Sequence, residues 1–471
     1  MLHPGLKADL RRLIGGEVTD SPVALAEVAV DYGGIVRKSP RILVRPGCAE
    51  EVARVVKYAY DRDLSISPRA GGYSFGGQAL NEGGVIIDMS ELRAIGPIHA
   101  QEGWFEAEAG AQWHEAVKAT LQQGWIPPVL TSYLRTSVGG TLSAAGFGFS
   151  SFRYGTQADY CLELEIVHHS GEIVRCSREE TTDLFEHALC GFGQFGIITR
   201  ARQRLRRAPP HVRTYFLQYD DLNAHLADQA VLVEEKRAHF MDGMLRPCYH
   251  GQRLINGRRV PLHSYLYPLN VTVEADGAAA IDDAEVLADL SFSKWIYAED
   301  LSIADFILLA HTEQQAFSPK VAQVFTDVLL PWSALEGFIR KVETHIHPQI
   351  VNVEHTVLWP MTTETITASM LKVPKEPLIM GVGLYSRVPA AYAAQTLAVA
   401  QGYVDLAMSM GGTYYLTGSV RLDEARLERQ FGEAWPVVRE VKQRYDPKGL
   451  FNPGFFHWAT ADGACSKVSV S

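Results

Sequence analysis

Positive charge is in short supply in this chain. Lysine and arginine number 44 against 54 aspartates and glutamates, a formal net charge of -10. Nucleic acid needs a dense basic face, and the one basic run, Arg200 to Arg207, alternates as the solvent face of a strand does, so nucleic acid is excluded as a partner. No apolar run approaches the ~20 residues of a membrane helix, and Met1 to Leu10 has no long apolar stretch behind its charges. The expectation is a cytoplasmic protein without a membrane partner. The six cysteines, Cys48, Cys161, Cys176, Cys190, Cys248 and Cys465, include no CxxC pair. Neither a zinc site nor a disulfide framework is indicated, and no metal is expected. Internal repeats and low-complexity tracts are absent as well.

What remains is a chain of 471 residues, 47% hydrophobic and 21% charged, which is too long for one ordinary core and points to two domains, possibly three. Its most informative stretch is Ser67 to Leu80, where Gly71, Gly72, Gly76 and Gly77 fall within a few positions after a short apolar strand. Glycine lets the backbone turn sharply, and successive bare amides form a concave anion site suited to a pyrophosphate. The order here is strand Arg41 to Val44, helix Glu50 to Arg62, strand Leu64 to Ile66, glycine loop, strand Gly84 to Met89. That is a βαββ unit. It is not a Rossmann start, because the loop opens no helix and no GxGxxG is spaced as that fold requires.

Two more stretches are poor in bulk. Thr131 to Phe149 holds small residues at 139–141 and 143–146, which lets backbone run flat against a large planar group. Gly191 to Arg200 is a second glycine-rich approach to a strand. Beyond residue 211 the glycine loops stop. Tyr215 to Tyr219, Ser264 to Val273, Asn352 to Pro360 and Leu378 to Tyr385 read as antiparallel strands, and helices are expected near 221–236, 278–290, 333–344 and 389–410. Glu354 and His355 stand in an otherwise apolar strand, where an unpaired charge is costly, so each must be paired, neutral or functional. Alternation lets only one of them face a site.

These stretches carry a family resemblance. Arg69-Ala70-Gly71-Gly72-Tyr73-Ser74 with Gln78 resembles the pyrophosphate loop of the vanillyl-alcohol-oxidase-like, PCMH-type FAD proteins. Thr136 to Ser143, Phe152-Arg153-Tyr154-Gly155 and Gly193 to Arg202 then resemble cytokinin dehydrogenase and the related berberine-bridge-enzyme-like oxidases, in order and at matching separations over residues 40–210. The Pro331-Trp332 pair and Tyr445 to Gly454 extend the likeness more loosely to the end.

The resemblance implies an α+β protein: a PCMH-type FAD-binding domain at 1–210, an α/β cap with an antiparallel sheet at 211–410 that takes the substrate, and a segment 411–471 returning to the first domain. It implies FAD held by Arg69, Ala70, Gly71, Gly72, Tyr73, Ser74, Gln78, Ala79, Ser132, Ser137, Gly139, Gly140, Thr141, Ser143, Phe147, Gly196, Ile198 and Asn452. Tyr73 stands where many members carry a histidine bonded to the flavin, so the cofactor is expected to be non-covalent.

The family's aspartate before Tyr-Leu is Ser132 here, which is no base near neutral pH, and a second family acid falls roughly at Asn270. Adenine-type cytokinins are therefore not the expected substrate. Glu354, Tyr415 and Tyr133 are the candidate catalytic residues. The implied function is FAD-dependent oxidation of an amine or alcohol C–H on a mid-sized organic molecule in specialised metabolism, with oxygen or a quinone-like acceptor taking the electrons. Two alternatives stay open: a flavin-binding protein without a redox role, and a flavin enzyme of internal redox rearrangement.

Overall fold

The computed structural model describes residues 5–309, 320–345, 353–453 and 455–456. The chain opens with the helix Leu6–Leu13 and then builds a four-stranded sheet from Glu17–Thr19, Ile42–Arg45, Val85–Asp88 and Ile66–Arg69, in that spatial order. The central strand Val85–Asp88 pairs in parallel with both Ile42–Arg45 and Ile66–Arg69. A parallel pair needs a crossover, and the helix Ala49–Tyr60 supplies it, with Val52, Val55, Val56 and Ala59 fully buried at helical spacing. Glu50 and Glu51 lie in its first turn and Lys57 in its last, as the helix dipole favours.

A five-stranded sheet follows, ordered Ile95–His99, Trp104–Glu108, Ile197–Arg204, Cys161–Val167 and Ile173–Ser177. Along Ile197–Arg204 the residues Ala201 and Gln203 point inward, while Arg200 and Arg202 meet Glu106, Glu108 and Glu163 outside. As far as Arg204 the basic run is the outer face of a strand, as its alternation predicts; Arg206–Arg207 departs from it, pairing with Trp125–Ile126, and Arg206 meets the buried Glu274.

The third sheet has eight strands, all antiparallel to their neighbours, in the order Lys294–Ser302, His211–Tyr219, Arg258–Ala275, Phe240–Ile255, Val353–Thr362, Leu378–Pro389, Val321–Pro331 and Thr413–Tyr415. Helices Leu222–Glu234, Leu335–His345 and Ala393–Ser409 form where expected. The long helix expected near 278–290 does not: only the turns Ala278–Ala280 and Asp283–Val286 form there, and none of their residues is buried. Ile281, Val286, Leu287 and Leu290 still pack half-buried against the core, so the segment meets it through short turns instead of one helix face. Four strands of this sheet, Phe240–Ile255, Lys294–Ser302, Val321–Pro331 and Thr413–Tyr415, are not among those expected. On Phe240–Ile255 the period of two sends Asp242, Met244 and Arg246 to one face, and Gly243 to the other. A side-chain carbon at Gly243 would lie 2.8 Å from the His225 ring, so glycine is what lets the Leu222–Glu234 helix sit this close.

The C-terminal helix Trp435–Tyr445 is fixed by a buried ion pair. Lys442 Nζ lies 2.6 Å from Asp446 Oδ2, with 6% and 0% of the two side chains exposed. Lys442 also donates to the carbonyl of Gln194 at 2.7 Å, and Asp446 accepts from the amides of Leu450 and Phe451 at 2.9 and 2.8 Å. Removing one partner leaves the other charge buried, so Asp446→Ala should lower stability by about 3–5 kcal/mol, read from the denaturant midpoint. A midpoint equal to the parent's would show the pair to be dispensable.

Candidate functional site

One cavity of about 570 Å³ runs between the first two sheets and the third. Its first wall is the loop after Ile66–Arg69. Gly72 has φ +68, a conformation open mainly to glycine, and a side-chain carbon there would meet the Arg69 guanidinium at 2.4 Å. Among the described residues, the amides of Gly71, Gly72, Tyr73 and Ser74 donate to no hydrogen-bond partner. Gln78 clamps the far end: its Oε1 accepts from the Gly76 amide at 2.7 Å, and its Nε2 donates to the Leu416 and Gly418 carbonyls at 2.8 and 3.2 Å. Burial lowers the pKa of Arg69, and the carboxylates of Asp88 and Asp31 oppose that.

The second wall differs from its expected form. Residues 139–141 do not run flat; Val138–Leu142 is a helical turn, with the Ser137 hydroxyl accepting from the Gly140 amide at 3.3 Å. Small size at Gly139 is spent on packing, because a side-chain carbon there would lie 2.6 Å from Ala109 Cβ. The third wall is Phe192 to Ile198. Asn452 joins it to the first: its Nδ2 donates to the carbonyls of Gln78 and Phe192 at 2.6 and 2.7 Å, and its Oδ1 accepts from the Ser67 hydroxyl at 2.9 Å.

Every residue assigned above to cofactor contact lines this cavity: those of the first loop from Arg69 to Ala79, those from Ser132 to Phe147, and Gly196, Ile198 and Asn452. Of the three candidate catalytic residues, only Tyr415 is placed on its wall, with its hydroxyl accepting from the Gly146 amide at 3.4 Å. Burial pushes the Tyr415 phenol far above its ordinary pKa, so it stays neutral. Tyr133 does not line the cavity. Its ring packs edge-on to Tyr73 at 5.0 Å, so it supports the loop from behind. Glu354 falls at an irregularity in the pairing of Val353–Thr362, and its side chain lies outside the described ones.

The third sheet contributes groups that the sequence reading missed: Asp242, Met244, Arg246, Phe325, Asp327, Val357, Trp359 and Tyr385. The position compared with a family acid, Asn270, is not on the cavity wall; it pairs across the sheet with Asp242, and its Nδ2 donates to Asp242 Oδ2 at 3.0 Å. A carboxyl therefore does line the cavity, one strand away from Asn270. Burial pushes the Asp242 carboxyl up to about 7, against the Asn270 hydrogen bond that lowers it. An Asp inside the apolar run Phe240 to Leu245 was the signal available, by the same argument that singled out Glu354. Asp327 Oδ1, Trp359 Nε1 and Thr417 Oγ1 are buried cavity-lining atoms with no hydrogen-bond partner. Such groups, together with the bare amides of the first loop, fit a large polar ligand with a phosphate-bearing part.

Comparison with known proteins agrees. A model described as FAD binding domain matches residues 40–177, and one described as cytokinin dehydrogenase 1, FAD and cytokinin binding, matches residues 209–456, more than half of the chain. The chain belongs to the cytokinin dehydrogenase family. It is 30% identical, over 92% of this chain and 97% of the relative, to an uncharacterized oxidoreductase of the fasciation locus of Rhodococcoides fascians. It is 28% identical to cytokinin dehydrogenase 7 of Oryza sativa subsp. japonica, over 96% of this chain and 93% of that one. In fold it is similar to 6-hydroxy-D-nicotine oxidase from Arthrobacter nicotinovorans, with TM-score 0.72, 18% identity, and 93% and 96% of the two chains covered. It is also similar to xylooligosaccharide oxidase from Myceliophthora thermophila, with TM-score 0.74, 17% identity, and 94% and 96% covered. The protein is an FAD-dependent oxidoreductase with the PCMH-type FAD-binding fold. Among the described residues no helix is long and apolar enough to cross a membrane.

Gly72→Ala tests the first wall. It places a side-chain carbon on the Arg69 guanidinium in an unfavourable backbone conformation, so FAD affinity should fall roughly tenfold or more, measured by fluorescence titration of the apoprotein. Unchanged affinity would remove this loop from the cofactor site.

Proposed function

We propose that FAD lies along the first, second and third walls of this cavity and that the enzyme oxidises a C–H bond next to nitrogen in a mid-sized amine held under the third sheet. On this reading residues 1–210 and 411–471 hold the cofactor and 211–410 form the substrate cap. The pyrophosphate would rest on the Gly71 to Ser74 amides and Arg69. When bound, FAD supplies a two-electron acceptor for hydride.

The observation that carries the reading is Asp242. A carboxyl with a pKa pushed to about 7 is half ionised near neutrality, which suits a general base. It takes the proton of the substrate nitrogen, and that N–H electron pair becomes the C=N bond as the neighbouring carbon gives up its hydride. Such a base suits a protonated amine, whose N–H is a far stronger acid than an alcohol O–H and whose charge the carboxylate attracts. Asp242 also supplies the acid whose apparent loss argued against cytokinins, so one of the two grounds for setting them aside is gone; Ser132 is the other. The name of one relative, cytokinin dehydrogenase, supports a nitrogen-containing substrate. Electrons pass to oxygen or to a quinone-like acceptor. Ala144 lines the cavity and leaves room there for a small acceptor.

Anaerobic bleaching of the flavin by candidate amines tests the proposal directly; colour that outlasts a broad amine panel would count against it. Because the base works ionised, kcat/KM should rise with pH through about 7 and level off above. Asp242→Asn should remove that limb and lower kcat about 10²- to 10⁴-fold. A variant that keeps the parent's pH profile would show that another group takes the proton.

Tyr73 bears on attachment. Its ring folds over Gly71 and meets Tyr32 edge-on at 5.2 Å, a phenol held by packing. Acid precipitation should therefore leave the flavin in the supernatant. Yellow colour retained in the pellet would instead demonstrate a covalent bond.

A further inference from the structure

Asp327 has no part in the scheme above. It lies within Val321–Pro331, paired with Gly383 on one side and Tyr415 on the other, and is 3% exposed. Its Oδ1 has no hydrogen-bond partner and lies 2.7 Å from where a side-chain carbon at 383 would be, so glycine there is what leaves it room. Two residues back on the same strand face, Phe325 stacks on Phe75 of the first loop, with centroids 4.6 Å apart and planes 9° from parallel. Across the strand, Tyr415 holds the Gly146 amide. The carboxyl thus lines the cavity between its first and second walls.

Among the described residues no cation offsets its burial. Among the described residues, the titratable groups that sense its charge are Tyr385 on Leu378–Pro389 and Tyr414 and Tyr415 on Thr413–Tyr415, all phenols held neutral by burial. Burial alone pushes the Asp327 carboxyl well above its ordinary value. An isolated carboxylate in such a place protonates rather than remain charged. Once protonated it carries an O–H donor.

We propose that Asp327 stays protonated at neutral pH and donates its O–H to an acceptor nitrogen or oxygen of the molecule in the cavity, either the flavin ring or the substrate. The cavity then holds two carboxyls with opposite tasks: Asp242 accepts a proton and Asp327 gives a hydrogen bond. This rests on the reading that the cavity holds flavin and substrate, although the protonation state can be read without any turnover.

The test uses the full chain loaded with FAD. Infrared difference spectra between the parent and Asp327→Asn at neutral pH should show the carbonyl stretch of a protonated carboxyl, unmoved from mildly acidic to mildly alkaline solution. A carboxylate signature in its place overturns the proposal, whether or not amines are oxidised. Asp327→Asn keeps a donor, and Asp327→Leu removes it. If the flavin is the acceptor, Asp327→Leu shifts the flavin absorption and midpoint potential of the resting enzyme and Asp327→Asn largely restores them. If the substrate is the acceptor, spectrum and potential stay put and KM rises roughly five- to tenfold in Asp327→Leu but not in Asp327→Asn. A Leu variant matching the parent in spectrum, potential and KM overturns the donor role. Should the Leu variant fail to fold, the infrared comparison with Asn still decides.

Discussion

The carboxamide of Asn452 joins two stretches of the chain far from its own, Ser67 to Gln78 and Phe192. It meets the carbonyls of Gln78 and Phe192 and the hydroxyl of Ser67, its amide donates to the Ile66 carbonyl at 2.7 Å, and its own carbonyl accepts from Gln194 at 2.8 Å. The residue is 2% exposed and has φ 46, a region asparagine tolerates better than most side chains. Loops rich in glycine have the most conformational freedom to lose on ordering. Here hydrogen bonds out of reach of water fix them, and the neighbouring Lys442 and Asp446 pair holds the segment that presents Asn452.

The site divides its work between backbone and side chains. The first two sheets end in loops that offer amides and little bulk, which suits a cofactor recognised by its phosphates and its flat ring. The third sheet meets them with side chains set by strand alternation: Asp242 and Met244 on one strand, Phe325 and Asp327 on another, Val357 and Trp359 on a third. The outer face of that sheet needs the opposite property, as Gly243 beneath His225 shows. One strand thus carries both a reactive face and a packing face, and a single-residue slip in its register would exchange them.

The cofactor walls were legible because their determinants are local. A glycine that must take φ +68, as Gly72 does, is visible as a glycine in any sequence, and three such stretches in order left few alternatives. The catalytic side was less legible. Asp242 lies on Phe240–Ile255, a strand absent from the sequence reading, and Asn270 lies on the next strand; 28 residues separate them along the chain, but register puts them opposite one another. Tyr133 shows the converse. It sits next to the second loop in sequence, yet its ring packs on Tyr73 and it is not part of the cavity lining. For Asp327, nothing in its neighbours along the chain shows that its Oδ1 ends up buried without a hydrogen-bond partner.

The sequence by itself determined that three bulk-poor segments stand out as candidate walls of one site, and that no apolar run is long enough for a membrane helix and no basic block is dense, because backbone freedom, hydrophobic run length and charge are properties of short stretches or of composition. The tertiary structure decided which acids face the cavity, which tyrosine belongs to it, and which carboxyl is left alone there. Those depend on strand register and on desolvation by residues hundreds of positions away, and no local pattern encodes either.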